Sequence, residues 1–279
     1  MQLRGGIPTI SDLDALLRDP FYADITAFSA SFLQTHGQAM KDYGRLWGQD
    51  PFRLWSRRWE YPFAAQRAIE FGKSRSGATK ILDAGSGVTF FPYYLCQNLP
   101  QAQVICCDNN PSYPPMFAAI NARTDHARVS FIEAKLQSLP LPDGDLDCVY
   151  CISVLEHTDH YGQILREFAR VTKPGAKLIL TFDLSLDGRF PLSRAAATKL
   201  LQTLAEYFQI DGVSVDQELS RMDARDATIL STDYVKRTDP QLLPWRYPMA
   251  KAVHDLIKGH GWTGGFRSKS VFCVEGRKK

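Results

Sequence analysis

The sequence predicts an α/β fold in which helices cover both faces of a mostly parallel sheet. From residue 80 onward, short apolar runs bounded by turn residues alternate with segments that place apolar side chains at helical spacing. The first apolar run ends in two glycines one residue apart, which is typical of a turn from strand to helix. The chain has 279 residues, enough for one large domain or for one domain with a smaller appendage.

Each predicted strand is a short apolar run. The strands are expected at residues 80–84, 103–107, 129–133, 146–152, 177–182 and, at the end of the chain, 270–275. Helices are expected between and after them, at residues 91–98, 114–122, 161–171, 193–208 and about 249–258. The helix at 161–171 ends before Lys173-Pro174-Gly175, which reads as a turn.

The N-terminal part has a different composition. Helical patterns cover about residues 9–40 and 63–71, and an aromatic stretch with three tryptophans lies between them at 43–61. A Gly/Ser/Lys-rich break follows at 72–77, which favours a domain boundary there. We therefore predict an N-terminal helical cap or substrate region at residues 1–76.

The second predicted domain covers residues 77–279. Its segment at about 211–248 contains acids and two prolines and lacks clear periodicity. We interpret this segment as an inserted, lid-like element with one short strand.

Composition excludes several classes of partner. The net charge of +3, with basic residues scattered, argues against a nucleic-acid partner. No apolar run approaches the ~20 residues that span a bilayer, and the N-terminus has no signal-peptide core, so we expect a cytoplasmic protein without a membrane partner. Cys148 and Cys151 lie three apart in a predicted strand and face opposite sides, so no metal site is predicted.

The glycine turn is the first candidate site. Gly85 and Gly87, with Ser86 between them, allow backbone N–H groups to approach a nucleotide-like ligand. Asp83 precedes them, and a carboxylate there attracts a cation and repels phosphate. The turn therefore favours S-adenosylmethionine over NAD, although the same glycines also fit a simple strand-to-helix turn.

A second acid, Asp108, follows the second predicted strand. This is where a carboxylate accepts hydrogen bonds from the hydroxyls of an adenosine ribose. The alternative is an ordinary turn acid ahead of Asn109, Asn110 and Pro111. Two acids at strand ends in this order favour a nucleoside site.

Three further motifs make the reading specific. They are Leu-Pro-Leu-Pro-Asp-Gly-Asp-Leu-Asp at 139–147, Val-Leu-Glu-His at 154–157 and Arg-Val-Thr-Lys-Pro-Gly at 170–175. With these motifs, residues 79–184 resemble class I S-adenosylmethionine-dependent methyltransferases of the methyltransferase-11-like group. The resemblance implies a Rossmann-like, seven-stranded, mostly parallel sheet whose last strand is antiparallel. It also implies methyl transfer from S-adenosylmethionine.

The resemblance implies a set of cofactor-binding residues, namely Asp83, Gly85, Ser86, Gly87, Asp108, Asn109 and Leu136. The first four would hold the methionine end, Asp108 the ribose, and Asn109 and the backbone at Leu136 the adenine. Two positions depart from the group's pattern. Thr89 replaces a third glycine, and Lys135 replaces an acid that would accept a hydrogen bond from the adenine amino group.

Catalysis needs a general base if the acceptor is a hydroxyl. His157, just beyond the fourth predicted strand, is the first candidate, Asp183 the second and His160 the third. His157 also fits a packing or capping role. Asp183 and Asp187 could also hold a metal ion, but the sequence shows no further cluster of ligands near them.

The predicted reaction is methyl transfer to a small molecule, with a hydroxyl of a sugar or secondary metabolite favoured and a nitrogen or carbon acceptor left open. The aromatic stretch would serve as an acceptor pocket or as packing anchors, and Arg53, Arg57 and Arg58 as anion contacts or as surface residues. The rival functions are an NAD-dependent oxidoreductase and a catalytically silent cofactor-binding interaction domain. The oligomeric state is not predicted.

Overall fold

A seven-stranded sheet organises the chain. The computed structural model describes residues 1–47, 50–124, 128–188, 192–224, 226–243, 252–253, 256–257 and 267–279. Within these residues the strands are β1 (Thr79–Ala84), β2 (Ala102–Asp108), β3 (Val129–Glu133), β4 (Leu146–Ile152), β5 (Thr172–Ser185), β6 (Phe208–Asp211) and β7 (Lys269–Lys278). Their spatial order is β3-β2-β1-β4-β5-β7-β6.

The strand directions confirm the predicted class of sheet. Strands β1 to β5 pair in parallel, and β7 inserts antiparallel between β5 and β6. The chain starts at β1 in the middle, moves outward to β3, and returns to continue at β4 on the other side of β1. This reversal leaves a crevice at the carboxyl ends of β1 and β4, where open α/β sheets bind ligands.

Helices cover both faces. They are α1 (Ile10–Leu16), α2 (Pro20–His36), α3 (Lys41–Trp47), α4 (Arg57–Lys73), α5 (Phe91–Asn98), α6 (Pro114–Asn121), α7 (Tyr161–Val171), α8 (Arg194–Tyr207), α9 (Val215–Asp223) and α10 (Thr232–Thr238). Side chains of alternate strand residues enter two separate cores, one beneath α2, α4, α5 and α6 and the other beneath α7, α8 and α9.

Local sequence explains where several helices begin. Thr9 and Asp12 form a capping box at α1, and the Ser193 hydroxyl accepts the Ala196 N–H at α8. Helix α7 buries Ile164, Leu165 and Phe168 on one face, which is the stripe that predicted it. These signals are local, so α7 and α8 lie within a residue of their predicted bounds, whereas the helical pattern predicted over about residues 9–40 divides into α1 and α2.

Helix α4 belongs to the sheet layer. It packs on β4, β5 and β7, and Trp59, Phe63 and Ala64 are fully buried. The sequence assigned this helix to the N-terminal cap, whereas its buried face contacts the sheet. The division at residue 76 stays a prediction.

Two predicted boundaries are wrong. The helix expected at 193–208 ends at Tyr207, and Phe208 starts β6, so the short strand precedes the segment at 211–248. The described part of that segment, 212–224 and 226–243, contains α9 and α10 and no strand. Lys173-Pro174-Gly175 lies within β5, where Gly175 has φ 73° and the register with β4 shifts. The sequence predicts a turn here because a β-bulge and a turn both favour glycine with a positive φ.

Other expectations concern the whole chain. All six cysteines are buried and free. In the described ranges, no helix has the length and apolarity needed to cross a membrane. The helix expected at 249–258 lies mostly outside the described residues, although 252–253 and 256–257 are helical.

Candidate active site

A cavity of about 630 Å³ opens at the carboxyl ends of β1 to β4. Strands in a sheet lie about 4.8 Å apart, so a cavity that crosses from β3 to β4 extends for about 14 Å. It is lined by all seven predicted cofactor residues, Asp83, Gly85, Ser86, Gly87, Asp108, Asn109 and Leu136, and by His157. The fold therefore brings together residues that are up to 74 positions apart in the chain.

The glycine turn is shaped by close contacts. Gly85 and Gly87 have φ of 73° and 53°, in the left-handed region. A Cβ on Gly85 would lie 2.5 Å from Val154 Cγ2, and one on Gly87 would lie 2.5 Å from the Tyr43 hydroxyl. The N–H groups of Gly85 and Ser86 donate to the Cys107 carbonyl, at 2.8 and 3.0 Å. Both glycines are therefore required by conformation and by space.

Asp108 connects β2 to this turn. One of its carboxylate oxygens accepts the Gly87 N–H at 3.1 Å, and the other accepts the Asn110 N–H at 3.3 Å. Burial raises the pKa of Asp108, and these backbone N–H groups partly oppose the rise. The carboxylate is therefore held in a fixed orientation at the cavity wall, as a ribose-binding residue must be.

The other acid, Asp83, is 5% exposed at the end of β1. Burial raises its pKa to about 8, the Tyr150 hydroxyl beside it opposes the rise, and the charge of Asp108 adds to it. A carboxyl in this environment gains most from a cationic ligand. The pocket therefore fits the ammonium group of a methionine tail and disfavours a pyrophosphate.

A buried ion pair lies at the β4 end of the cavity. Arg57 Nη1 donates to Glu60 Oε2 and to the Ser153 hydroxyl, each at 2.5 Å. Glu60 Oε1 accepts the hydroxyls of Ser153 and Thr181, both at 2.6 Å. Burial alone would raise the pKa of Glu60, but Arg57 and these hydroxyls hold it below its usual value.

Arg57 also faces the cavity. Nη1 makes both of its hydrogen bonds to described residues, so Nε and Nη2 can donate to a ligand. Burial alone would lower its pKa, but the carboxyls around it raise it. The sequence left the roles of Arg53, Arg57 and Arg58 open, and of these three only Arg57 lines the cavity. Arg53 is exposed, and Arg58 Nε donates to the Phe52 carbonyl at 2.9 Å.

The aromatic stretch at 43–61 supplies side chains both to the core and to the cavity wall. Trp55 and Trp59 are buried anchors, at 1% and 0% exposure. Tyr43 and Tyr61 line the cavity, with Phe91 from α5. The sequence indicated an aromatic-rich segment, but its periodicity does not distinguish residues that face the cavity from those that face the core.

His157 ends the short 3-10 helix Leu155–His157 after β4 and lies exposed at the rim of the cavity. Desolvation by the surrounding cavity mouth lowers its pKa, as do the charges of Lys269 and Arg57, while Asp183 opposes them. The imidazole is therefore neutral at pH 7 and able to accept a proton.

The other two candidate bases do not line the cavity. Asp183 is 7% exposed in β5 and forms an ion pair with Lys269. His160 is exposed at the start of α7. Across the described ranges, no group of three or more His, Cys, Asp or Glu residues is placed to hold a metal ion.

The two departures from the expected pattern have local explanations. The Thr89 hydroxyl accepts the Phe91 N–H at the start of α5, at 3.4 Å, so it replaces a glycine with a weak helix contact. Lys135 and Gln137 both line the cavity beside Leu136. The Gln137 amide oxygen can accept a hydrogen bond from an adenine amino group, which Lys135 cannot.

Comparisons with known proteins identify the domain that contains these strands. Residues 82–180 match the family described as Methyltransferase domain. The ubiquinone/menaquinone biosynthesis C-methyltransferase UbiE of Pseudomonas paraeruginosa is 26% identical over 215 residues, which are 76% of this chain and 75% of that protein. The demethylmenaquinone methyltransferase of Thermus thermophilus is 30% identical over 118 residues, 41% of this chain and 51% of that protein.

Solved structures share the fold at low identity. A geranyl diphosphate methyltransferase in complex with GPP and sinefungin superposes with a TM-score of 0.53 at 12% identity and covers 99% of this chain and 89% of that chain. The [4+2]-cyclase SpnF superposes with a TM-score of 0.51 at 21% identity and covers 79% of this chain and 82% of that chain. These likenesses concern the fold alone, because proteins of one fold differ in chemistry.

The sheet order, the acid-preceded glycine turn and the family match define an enzyme class. The protein is a class I methyltransferase. More particularly, residues 82–180 carry this methyltransferase domain, and the methyl donor is S-adenosylmethionine. The findings do not support an NAD-dependent oxidoreductase or a silent interaction domain.

Proposed function

We propose that this methyltransferase acts on a small-molecule acceptor and methylates a hydroxyl oxygen of a sugar or secondary metabolite. The observation that carries the proposal is that His157 and an aromatic wall of Tyr43, Tyr61 and Phe91 line the same cavity as the cofactor residues. Aromatic faces pack well against rings, and a neutral imidazole beside them accepts a proton from a ring hydroxyl.

The cofactor is expected to lie across the strand ends. Asp83 and Arg57 offer opposite charges to the ammonium and carboxylate of its methionine end. Asp108 accepts the ribose hydroxyls, and Asn109, Leu136 and the backbone near them contact the adenine edge. This order follows the strand order, from β4 and β1 at the methionine end to β2 and β3 at the adenine end.

Bound S-adenosylmethionine supplies a methyl group that its sulfonium activates for displacement. The protein's contribution is then positioning and proton removal. His157 Nδ1 or Nε2 would take the proton of the acceptor hydroxyl. Bound S-adenosylmethionine would supply the methyl group, its carbon–sulfur bond would break as the carbon–oxygen bond forms, and it would leave as S-adenosylhomocysteine. The aromatic wall excludes water, which would otherwise compete as an acceptor.

Ligand binding tests the cofactor site. S-adenosylhomocysteine should raise the melting temperature. At a concentration of 100 times its dissociation constant, it should stabilise the folded protein by about 2.7 kcal/mol. NAD should not shift it. Asp83→Ala should remove most of the shift, because the methionine ammonium loses its counter-charge. A shift with NAD alone would contradict the assignment.

Mutation of the base tests the catalytic proposal. His157→Ala should reduce kcat roughly 10²- to 10⁴-fold on a hydroxyl acceptor while S-adenosylhomocysteine binds as before. His160→Ala is the matched control, because His160 is also an exposed histidine after β4 but lies at the start of α7, outside the cavity lining. Equal kcat values for His157→Ala and the wild type would overturn the role of His157.

A carbon acceptor is the second candidate, because the Pseudomonas paraeruginosa relative is described as a C-methyltransferase. Removal of a phenolic proton also activates the ring carbon beside it, so the same base serves both reactions. Nuclear magnetic resonance of the methylated product separates them. An O-methyl signal supports the proposed function, whereas a C-methyl signal supports the second.

A further inference from the structure

Three buried carboxyls lie together behind the acceptor end of the cavity. They come from three elements: Glu60 from α4, Glu156 from the 3-10 helix after β4, and Asp183 from β5, and they are 0%, 4% and 7% exposed. Arg57 and Lys269 are the cations that form ion pairs with Glu60 and Asp183. Among the described residues, three carboxylates and two cations leave one negative charge without an ion-pair partner, which is costly in a buried site.

Within the described part of the chain, two carboxylate oxygens in this group have no hydrogen-bond partner. Both oxygens of Glu60 accept hydrogen bonds. Glu156 Oε1 accepts the Asp183 N–H at 3.2 Å, and Asp183 pairs with Lys269 through Oδ2. Glu156 Oε2 and Asp183 Oδ1 are buried without a hydrogen-bond partner among the described residues. A buried acceptor left in this state is destabilising, unless a proton turns one of the two carboxyls into a donor.

We propose that the Glu156 carboxyl keeps a proton and shares it with the neighbouring Asp183 carboxylate, and that this pair is the positioning device for the turn that carries His157. Glu156 directly precedes His157 in the 3-10 helix, and its bond to the Asp183 N–H ties that helix to β5. The turn needs such a tether because Ser153 enters it with φ 50°, a left-handed conformation that is strained for a serine. The role of His157 as the base rests on the proposed function, whereas the shared proton does not.

The shared proton is present at pH 7 and is lost as the pH rises through about 8. Burial and then the charge of Asp183 raise the pKa of Glu156 to about 8. The charged and titratable groups that face the pair are Arg57 and Glu60 from α4, Cys151 from β4, His157 from the same turn and Lys269 from β7. Above pH 8 the pair carries two negative charges, which repel each other and release the turn.

The Glu156→Gln variant tests the proposal through the pH profile. Glutamine keeps the shape of a protonated glutamate and cannot ionise. With both substrates saturating, its kcat at pH 7 should stay within about threefold of the wild type, and the loss of kcat that the wild type shows above pH 8 should be absent. Glu156→Ala should lower kcat roughly 10- to 100-fold at unchanged S-adenosylhomocysteine affinity, because the base is misplaced.

Glu218→Gln is the matched control. Glu218 is also a buried carboxyl that accepts a backbone N–H, from Ile7, but it lies on α9 outside the cavity. This variant should keep the alkaline loss of kcat. An identical alkaline loss in the wild type and in Glu156→Gln would overturn the proposal.

Infrared difference spectroscopy measures the proton without activity. The Asp83→Asn background removes the other cavity carboxyl whose pKa is raised to about 8. In that background a protonated-carboxyl band should be present at pH 7, disappear above pH 8, and be absent after Glu156→Gln. A band that survives Glu156→Gln, or no band at pH 7, would overturn the shared proton. The infrared measurement does not depend on which acceptor is methylated or on whether His157 is the base.

Discussion

At the scale of single residues, a buried acid decides which ligand the glycine turn prefers. Asp83 has no ion-pair partner among the described residues, and burial raises its pKa to about 8. A carboxyl in that state is mostly protonated at pH 7. Ionisation becomes favourable when a ligand brings an ammonium group beside it. The residue therefore selects for a cation and couples ligand binding to proton release.

The coupling can be measured. Below pH 8, binding of S-adenosylhomocysteine should release up to one proton, since the ammonium lowers the pKa of Asp83. Its affinity should rise with pH up to about 8, at most about tenfold per pH unit. Calorimetry in two buffers of different ionisation enthalpy checks this. Asp83→Asn should remove the proton release, whereas Asp211→Asn, at an exposed ion pair with Arg277, should not.

At the scale of elements, α4 joins the N-terminal part to the catalytic sheet. It buries an apolar face against β4, β5 and β7, and it places Arg57 and Glu60 one turn apart beside Ser153 and Thr181. The segment therefore supplies both packing and one wall of the cavity. The sequence predicted a helix only at residues 63–71, so the first turns of α4, with Arg57 and Glu60, and their contacts were missed.

The buried ion pair in α4 should dominate the stability of this element. Glu60→Ala removes a fully buried carboxylate, leaves the partly buried Arg57 guanidinium without its ion-pair partner, and should cost about 3 kcal/mol of unfolding free energy. Glu70→Ala, on the same helix, removes an exposed partner of Arg67 and should cost about 1 kcal/mol or less. Urea unfolding measures both. Similar losses for the two variants would contradict the difference in burial.

At the scale of the whole molecule, the first residues of the chain tie distant elements together. Gly6 pairs with Cys273 of β7 through two backbone hydrogen bonds, and Arg67 Nη2 donates to the Leu3 carbonyl. Glu218 of α9 accepts the Ile7 N–H at 3.0 Å. The N-terminal segment thus contacts the sheet, α4 and α9 at once.

Deletion of residues 1–8 should therefore destabilise the protein as a whole. Each lost kcal/mol lowers the melting temperature of a large domain by about 2–4 °C, and the loss of several buried contacts should lower it by roughly 5 °C or more. Deletion of residues 1–2 alone removes an exposed ion pair of the amino terminus with Asp19 and should have little effect. Scanning calorimetry compares the two, and equal melting temperatures would show that the segment is not structural.

The elements that the sequence located are those with local signals. Strands β3 and β4 and helices α5 and α7 have the predicted bounds, since apolar periodicity and turn residues decide them locally. The start of β6 was missed because Phe208 continues the apolar pattern of α8. The bulge in β5 was read as a turn because Pro174 and Gly175 fit either structure.

The sequence by itself determined the sheet, the glycine turn with its preceding acid, and the methyl donor, because these depend on residues close together in the chain. Only the tertiary structure decided which residues lie together at the cavity and behind it. Arg57, Glu60 and Asp183 reach the carboxyl end of β4 from other elements. Whether a charged residue is solvated or buried depends on contacts between distant segments, and the sequence pattern carries no signal for them.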